Sequence, residues 1–286
     1  MSSPQREGGC AARPQTPLLS VVVPAWNEAE RIAQCLEQLS LRLEHLEPEI
    51  IVVDDGSTDG TAGLCARWLA QRPALDALLV SIPHRGKGAA VHAGARASHG
   101  RVVAYIDADM DIGAEEIDHL LAERRRLDLD VVVGSKRRLA WRHIGRPLGR
   151  RVLSVLFSRV VRLLFRLPVQ DTQTGVKLFG GAWLRAIVRQ TRVSGFLFDL
   201  ELLAAANAAG LRIGEVPVAV GMSRPASRIG PAAVARCALE LAGVIASVAR
   251  LRRVLRDAPG GASRVLPRAG LGLRHAGSRH SRATAS

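Results

Sequence analysis

Aromatic residues are scarce in this chain. One Tyr, four Trp and five Phe make up 3% of 286 residues, too few for the stacking platforms that bind single-stranded nucleic acid. Cysteine is scarce as well. Cys10, Cys35, Cys65 and Cys237 form no CxxC pair, and no His stands at finger spacing from them. That argues against a disulfide framework or a zinc finger and for reduced, cytosolic thiols. No run of about 18 apolar residues is present to make an ordinary transmembrane helix. The opening MSSPQREGGCAARPQTP has no apolar core of a signal peptide. Two phosphate-binding signatures are also missing. Pro24-Ala25-Trp26-Asn27-Glu28 stands where GxGxxG would follow the first strand, and GxxxxGK[ST] is absent. A nicotinamide dehydrogenase and a P-loop NTPase are therefore set aside.

What is there suits a globular chain. Hydrophobic residues are 48% and charged residues 23%, enough for a real core and unlike disordered, collagen-like or mucin-like proteins. The length fits one large domain or two small ones. Forty Lys+Arg against 26 Asp+Glu give +14, which suits nucleic acid, an acidic membrane face or phosphate-bearing substrates. The charge is uneven. Residues 136–166, 223–256 and 257–286 carry +10, +6 and +4, which leaves the remaining chain at −6. An acidic body thus carries basic attachments.

Segments 18–24, 50–53, 78–82, 101–106 and 130–133 read as short apolar strands. Between them, residues 28–46, the stretch to about 71, the stretch to about 98 and the stretch from about 114 read as helices. Strand–helix alternation predicts right-handed crossovers and an α/β fold with a mostly parallel sheet covered on both faces. Ligands then bind beyond the carboxyl ends of the strands. The polar clusters fall at those ends: Asn27/Glu28, Asp54/Asp55, Arg85 to Gly88, and Asp107 to Asp111.

After residue 135 the texture changes. Arg150, Ser154, Ser158, Arg162 and Arg166 recur every fourth residue on a stretch otherwise rich in Val, Leu and Phe. This is either a core helix or one lying in a membrane interface with its Arg heads reaching water. Residues 231–256 have similar character, with Glu240 alone in the apolar part and Arg250, Arg252, Arg253 and Arg256 after it.

Asp107-Ala108-Asp109 is a D-x-D element. Two carboxylates at a strand end can hold a hard divalent cation, with phosphate oxygens completing its shell, and Asp111 adds a third. Asp54-Asp55 can accept from a base N–H or ribose hydroxyls, or can serve turn and cap chemistry. Lys87 between Gly86 and Gly88 lets backbone and ammonium approach a diphosphate together.

These motifs, Val-Val-Pro-Ala-Trp-Asn-Glu, Val-Val-Asp-Asp-Gly-Ser, Gly86-Lys-Gly88 and Asp107-Ala-Asp109, resemble the inverting family-2 glycosyltransferases of the GT-A, Rossmann-like fold. Asp171-Thr-Gln-Thr-Gly-Val-Lys-Leu-Phe179, Phe198-Asp-Leu-Glu-Leu202 and Glu215-Val-Pro217 are similar to the dolichyl-phosphate glucosyltransferase branch, to which dolichol-phosphate mannose synthases are close. The resemblance covers roughly residues 18–250. It implies that Pro24, Ala25, Asn27, Glu28, Asp54, Asp55, Lys87 and Asp107 line the nucleotide-sugar pocket. It implies that Asp107, Asp109 and Asp111 hold Mg2+ or Mn2+, with Asp107, Asp109 and Lys87 as the catalytic set. Lys136, Arg137, Arg150 and Ser154 would bind an acceptor phosphate, and Gln173, Asp199 and Glu201 would shape the sugar and acceptor pocket. Asp111 stands where relatives often carry Gln, and Lys136 where they usually carry Arg.

The implied activity is transfer of glucose from UDP-glucose to a polyprenyl phosphate with inversion. GDP-mannose with the same acceptor, or a soluble acceptor, are the alternatives. A basic nucleic-acid-binding protein is the reading from another class; it leaves the acidic strand ends unexplained, so no nucleic-acid partner is expected. The expected organisation is a disordered segment 1–17, a catalytic domain 18–222 with an interface helix 148–168, an amphipathic helix 223–256 and a basic tail 257–286. The expected place is the cytoplasmic face of an anionic membrane, held peripherally or monotopically.

Overall fold

The computed structural model describes residues 16–136, 159–221 and 231–257. The chain alternates strand and helix through its first half: β1 (Leu19–Ala25), α1 (Ile32–Arg42), β2 (Glu49–Asp54), α2 (Thr61–Ala70), β3 (Ala77–Ser81), α3 (Lys87–Ala97), β4 (Val102–Ile106), α4 (Glu115–Arg126) and β5 (Val131–Ser135). Helix α5 is described over 159–165. Then come β6 (Val176–Gly180), α6 (Gly181–Ile187), α7 (Phe198–Ala208), β7 (Ile213–Pro217) and α8 (Pro231–Asp257).

Among the described residues seven strands form one sheet in the order β3-β2-β1-β4-β6-β5-β7. β1, β2 and β4 are buried along their whole length, as strands covered on both faces must be, and each carries an apolar run, 21–25, 50–53 and 102–106. The pairs β1–β2, β2–β3, β1–β4 and β5–β7 are parallel. β6 runs antiparallel between β4 and β5. Neither β6 nor β7 is among the strands expected from the apolar runs. Lys177 interrupts the first, and the second carries Glu215 and ends on Pro217.

Each face of the sheet has its own core. One gathers α1, α2 and α4; the other gathers α3 and α5 to α8. The order turns back between β1 and β4, so the crevice beyond Ala25 and Ile106 is the topological switch point. Helix α3 lies so close to β1 that a Cβ on Gly94 would collide with Val22.

The two apolar-basic helices are partly core and partly open. In α5, Val161 and Phe165 are buried, while Leu163 is 83% exposed and Val160 and Leu164 are also open. In α8, Val244, Val248 and Leu251 pack inward, and Leu239, Ile245 and Val254 face out. Helix α8 is therefore docked on the domain through one face. Among the described residues no helix is long and apolar enough to cross a membrane.

Candidate active site

The loops after β1 and β2 are stitched together by side chains. Asn27, at φ +53°, takes a hydrogen bond from Thr58 N on Oδ1 (2.9 Å) and donates its own N–H to Ser57 Oγ (2.9 Å). Glu28 N donates to Thr61 Oγ1 and Ala29 N to Asp59 Oδ2. Asp59 also takes Thr61 N at 3.0 Å, which closes the start of α2. Pro24 and Ala25 lie at the buried end of β1.

Asp54 and Asp55 are both buried, and they differ in what they do. Asp54 Oδ1 is buried with no hydrogen-bond partner among the described residues, while Oδ2 accepts Ser57 N at 3.4 Å. Asp55 is fully engaged. Its carboxylate accepts Arg85 N and Gly86 N at 2.8 Å each and lies 2.9 Å from His84 Nδ1. Both oxygens of Asp55, expected to line the donor pocket, hold the 84–86 loop.

Gly86, at φ +97°, is the N-cap of α3, and Lys87 is the first helical residue. The Gly-flanked loop expected over 85–88 thus ends as a helix N-terminus, whose dipole favours phosphate, although Gly86 N and Gly88 N are already taken by Asp55 Oδ2 and Ser194 O. Lys87 Nζ pairs with Asp107 Oδ1 and lies 5.8 Å from the centre of the Phe198 ring. Burial works against its charge. Asp107, Asp199 and Asp109 outweigh that, and its pKa is held above the usual lysine value.

The D-x-D turn follows β4. Met110 adopts φ +54°, and Asp111 N donates to Asp109 Oδ1 at 3.2 Å. Burial, then the neighbouring Asp107 and Asp111, raise the Asp109 pKa. This is the chemistry of a site short of positive charge, and a cation between Asp107, Asp109 and a ligand's phosphates fits it. Among the described residues, though, no three His, Cys, Asp or Glu side chains converge as a metal group. The expected trio of Asp107, Asp109 and Asp111 is not gathered as one. Asp111 instead lies 3.8 Å from Lys136 Nζ, which brings an expected acceptor cation to the turn. Gly175 leaves room for Asp107, since a Cβ there would lie 2.5 Å from Asp107 Oδ2.

Behind Lys87 sits a buried polar group. Lys177, fully buried, donates to Asp199 Oδ1 (2.8 Å) and Thr174 O (2.7 Å), and Tyr105 OH donates to the same Asp199 oxygen. Glu201 is also fully buried and accepts Arg192 N and Val193 N. Asp199 and Glu201, expected to shape the pocket, are thus held from within the fold, Asp199 through Oδ1 in the ion pair and Glu201 through loop N–H groups. Gln173 N donates to Asp171 Oδ1 at 3.2 Å, and Asp171 also takes Lys136 N, so the Gln173 loop adjoins Lys136. Arg137, Arg150 and Ser154 lie outside the described residues.

The family model described as Glycosyl transferase family 2 matches residues 20–180, from β1 to the end of β6. The chain belongs to that family. A family 2 relative, a dolichyl-phosphate beta-glucosyltransferase of Dictyostelium discoideum, is 32% identical over 216 residues, covering 70% of this chain and 65% of its own. This chain spans 62 to 66% of the length of three such relatives. An uncharacterised glycosyltransferase of Mycobacterium tuberculosis is 36% identical over 203 residues, or 71% of this chain and 85% of that one. Among solved structures, glucosyl-3-phosphoglycerate synthase from Mycobacterium tuberculosis with UDP aligns at TM-score 0.58 and 21% identity, over 82% of this chain and 80% of that one. The likeness shows a shared GT-A fold.

No role was expected of Trp26, His84 or Lys177. The Trp26–His84 stack, with centroids 4.6 Å apart, forms across loops far apart in sequence and carries no spacing signal. Lys177 does carry one: a charge inside an apolar strand is rarely buried unless paired.

Proposed function

We propose that this family 2 glycosyltransferase moves a hexose from a nucleotide sugar, with UDP-glucose as donor, to a phosphate-bearing acceptor. The observation that carries it is the meeting, beyond β1 and β4, of the α3 N-terminus, the Lys87–Asp107 pair and the electron-rich Asp109 turn. An acceptor phosphate, with a second pKa of about 6, is largely anionic at neutral pH. Its oxygen attacks the anomeric carbon while the bond from that carbon to the β-phosphate oxygen breaks. The electron pair leaves with the nucleoside diphosphate, and the centre inverts. Lys87 and the α3 N-terminus stabilise the departing charge. Asp107 and Asp109 are the residues that would hold Mg2+ or Mn2+, which supplies further neutralisation of the diphosphate when bound. Lys136, 3.8 Å from Asp111, would meet the acceptor phosphate.

Two acceptors have support. Polyprenyl phosphate is favoured by sequence relatives named as dolichyl-phosphate glucosyltransferases and by the open apolar positions Leu163, Leu239 and Ile245 beside exposed Arg250, Arg252 and Arg253, a surface suited to an anionic membrane. A soluble phosphate ester is favoured by the backbone likeness to enzymes whose structures hold phosphoglyceric acid. The deciding experiment offers UDP-glucose or GDP-mannose to the full chain, with polyprenyl phosphate or phosphoglyceric acid, with and without chelator. Glucose should pass from UDP-glucose to one phosphate acceptor, with loss on chelation, and Asp109→Asn should lower turnover at least about 100-fold while the fold stays intact. Undiminished turnover of Asp109→Asn would remove the D-x-D turn from the reaction, and no transfer in any arm would refute the proposal.

A further inference from the structure

We propose that His84 is a donor-recognition and positioning residue: with Trp26 it forms the stacking wall for the donor's base, and through Asp55 it sets the loop that presents Lys87. The inference rests on reading the strand ends around β1 as the nucleotide-sugar site.

The geometry makes one continuous chain of contacts. Trp26, on the turn after β1, is 51% exposed, an unusual place for one of the ten aromatic residues in the whole sequence. Its ring stacks on His84 with centroids 4.6 Å apart and planes 20° from parallel. Half of the His84 side chain is exposed too, so the pair still offers a planar surface at the mouth of the site. A flat heteroaromatic base is the ligand that such a surface recognises. The other end of the imidazole turns inward. His84 Nδ1 lies 2.9 Å from Asp55 Oδ2 and 3.1 Å from Asp55 O.

Asp55 in turn holds Arg85 N and Gly86 N, and Gly86 is the residue on which α3 and Lys87 begin. The neighbouring turn is built to let His84 close: Gly56 sits at φ +70°, and a Cβ there would lie 2.7 Å from His84 N. One carboxylate therefore joins the base wall to the residue that meets the diphosphate.

Two substitutions separate the two tasks. His84→Asn keeps a donor for Asp55 and loses the ring. His84→Phe keeps a ring on Trp26 and loses the donor. The measurements are UDP binding to the full chain by calorimetry, and kcat and KM for UDP release from UDP-glucose in the presence of the phosphate acceptor. His84→Asn should raise the UDP Kd and donor KM about tenfold with kcat within about twofold of wild type. His84→Phe should bind UDP as wild type does and lose about tenfold in kcat. Should His84→Phe fail to fold by circular dichroism, Asp55→Asn is expected to show the same loss in kcat at unchanged UDP affinity. Equal effects of both His84 variants on binding and turnover, or no effect of either, would overturn the proposal and leave the donor site standing. A wild-type chain that binds neither UDP nor GDP would instead overturn the site reading on which it rests.

Discussion

Lys177 shows what a single buried charge demands of its neighbours. Its side chain is fully buried, and an ammonium there costs several kcal/mol unless an anion answers it. Asp199 does so at 2.8 Å, and the same oxygen takes the Tyr105 hydroxyl. Burial still pulls the Lys177 pKa down, with Asp199 offsetting part of that effect. Burial also drives the Tyr105 hydroxyl well above its ordinary value, with Asp199 adding to it, so that hydroxyl stays a donor. Lys177→Met strands a buried carboxylate and should lower stability by about 3–5 kcal/mol in urea unfolding. Lys177→Met/Asp199→Leu removes both charges and should recover most of the loss. If the double variant is no more stable than the single one, the pair contributes packing and not charge balance.

Elements are joined to the site by the same kind of contact. Helix α8 buries Val244, Val248 and Leu251, and its Glu240 accepts Leu197 N at 2.8 Å. A Cβ on Gly195 would collide with that carboxylate. One residue earlier, Ser194 O accepts Gly88 N at 2.9 Å, in the first turn of the helix that Lys87 opens. The loop 194–197 thus couples α8 to α3. Glu240→Ala leaves a buried N–H without its partner and should cost about 1–3 kcal/mol by thermal unfolding. It should also lower kcat, because the α3 terminus loses its support. A lower melting temperature at unchanged kcat would limit α8 to a structural part. This docking was not legible in the sequence, where Glu240 stands out only as a lone acid on an apolar helix. β1, β2 and β4 were legible because burial on both faces demands continuous apolar residues. β6 was hidden because its Lys177 is answered by a residue 22 positions away.

At the scale of the whole molecule, the strand-end clusters were legible because one topology brings them to one edge, whereas the contacts of Asp55 with His84, Arg85 and Gly86 join loops about 30 residues apart in sequence. The same distinction governs how the protein meets acid. His92, in α3, is 5% exposed, and its Nε2 lies 3.3 Å from Thr191 Oγ1. Burial, then Arg96, push its pKa from 6.5 down to about 4. Between those values the unfolded chain takes up the proton and the folded chain does not. The contribution is therefore complete above about pH 6.5 and lost as pH falls towards about 4, by which point the loss amounts to about 3 kcal/mol. Glu49, whose carboxylate holds Ser20 and His99, has a pKa that is lowered on balance: the His99 and Ser20 hydrogen bonds outweigh burial, the largest single influence and an opposing one. Its contribution disappears in a lower window, below its unfolded value of about 4.5 and through its folded one. Acid also adds charge to a chain already at +14, so self-repulsion acts in the same direction. His92→Gln separates the first cause from the others, since it stays neutral and can still meet Thr191. Wild type should lose stability steadily from pH 7 to 4.5 in urea unfolding, and His92→Gln should be flatter there while keeping the steeper fall below. Equal slopes for the two proteins between pH 7 and 4.5 would mean that His92 is already free to take its proton in the folded state.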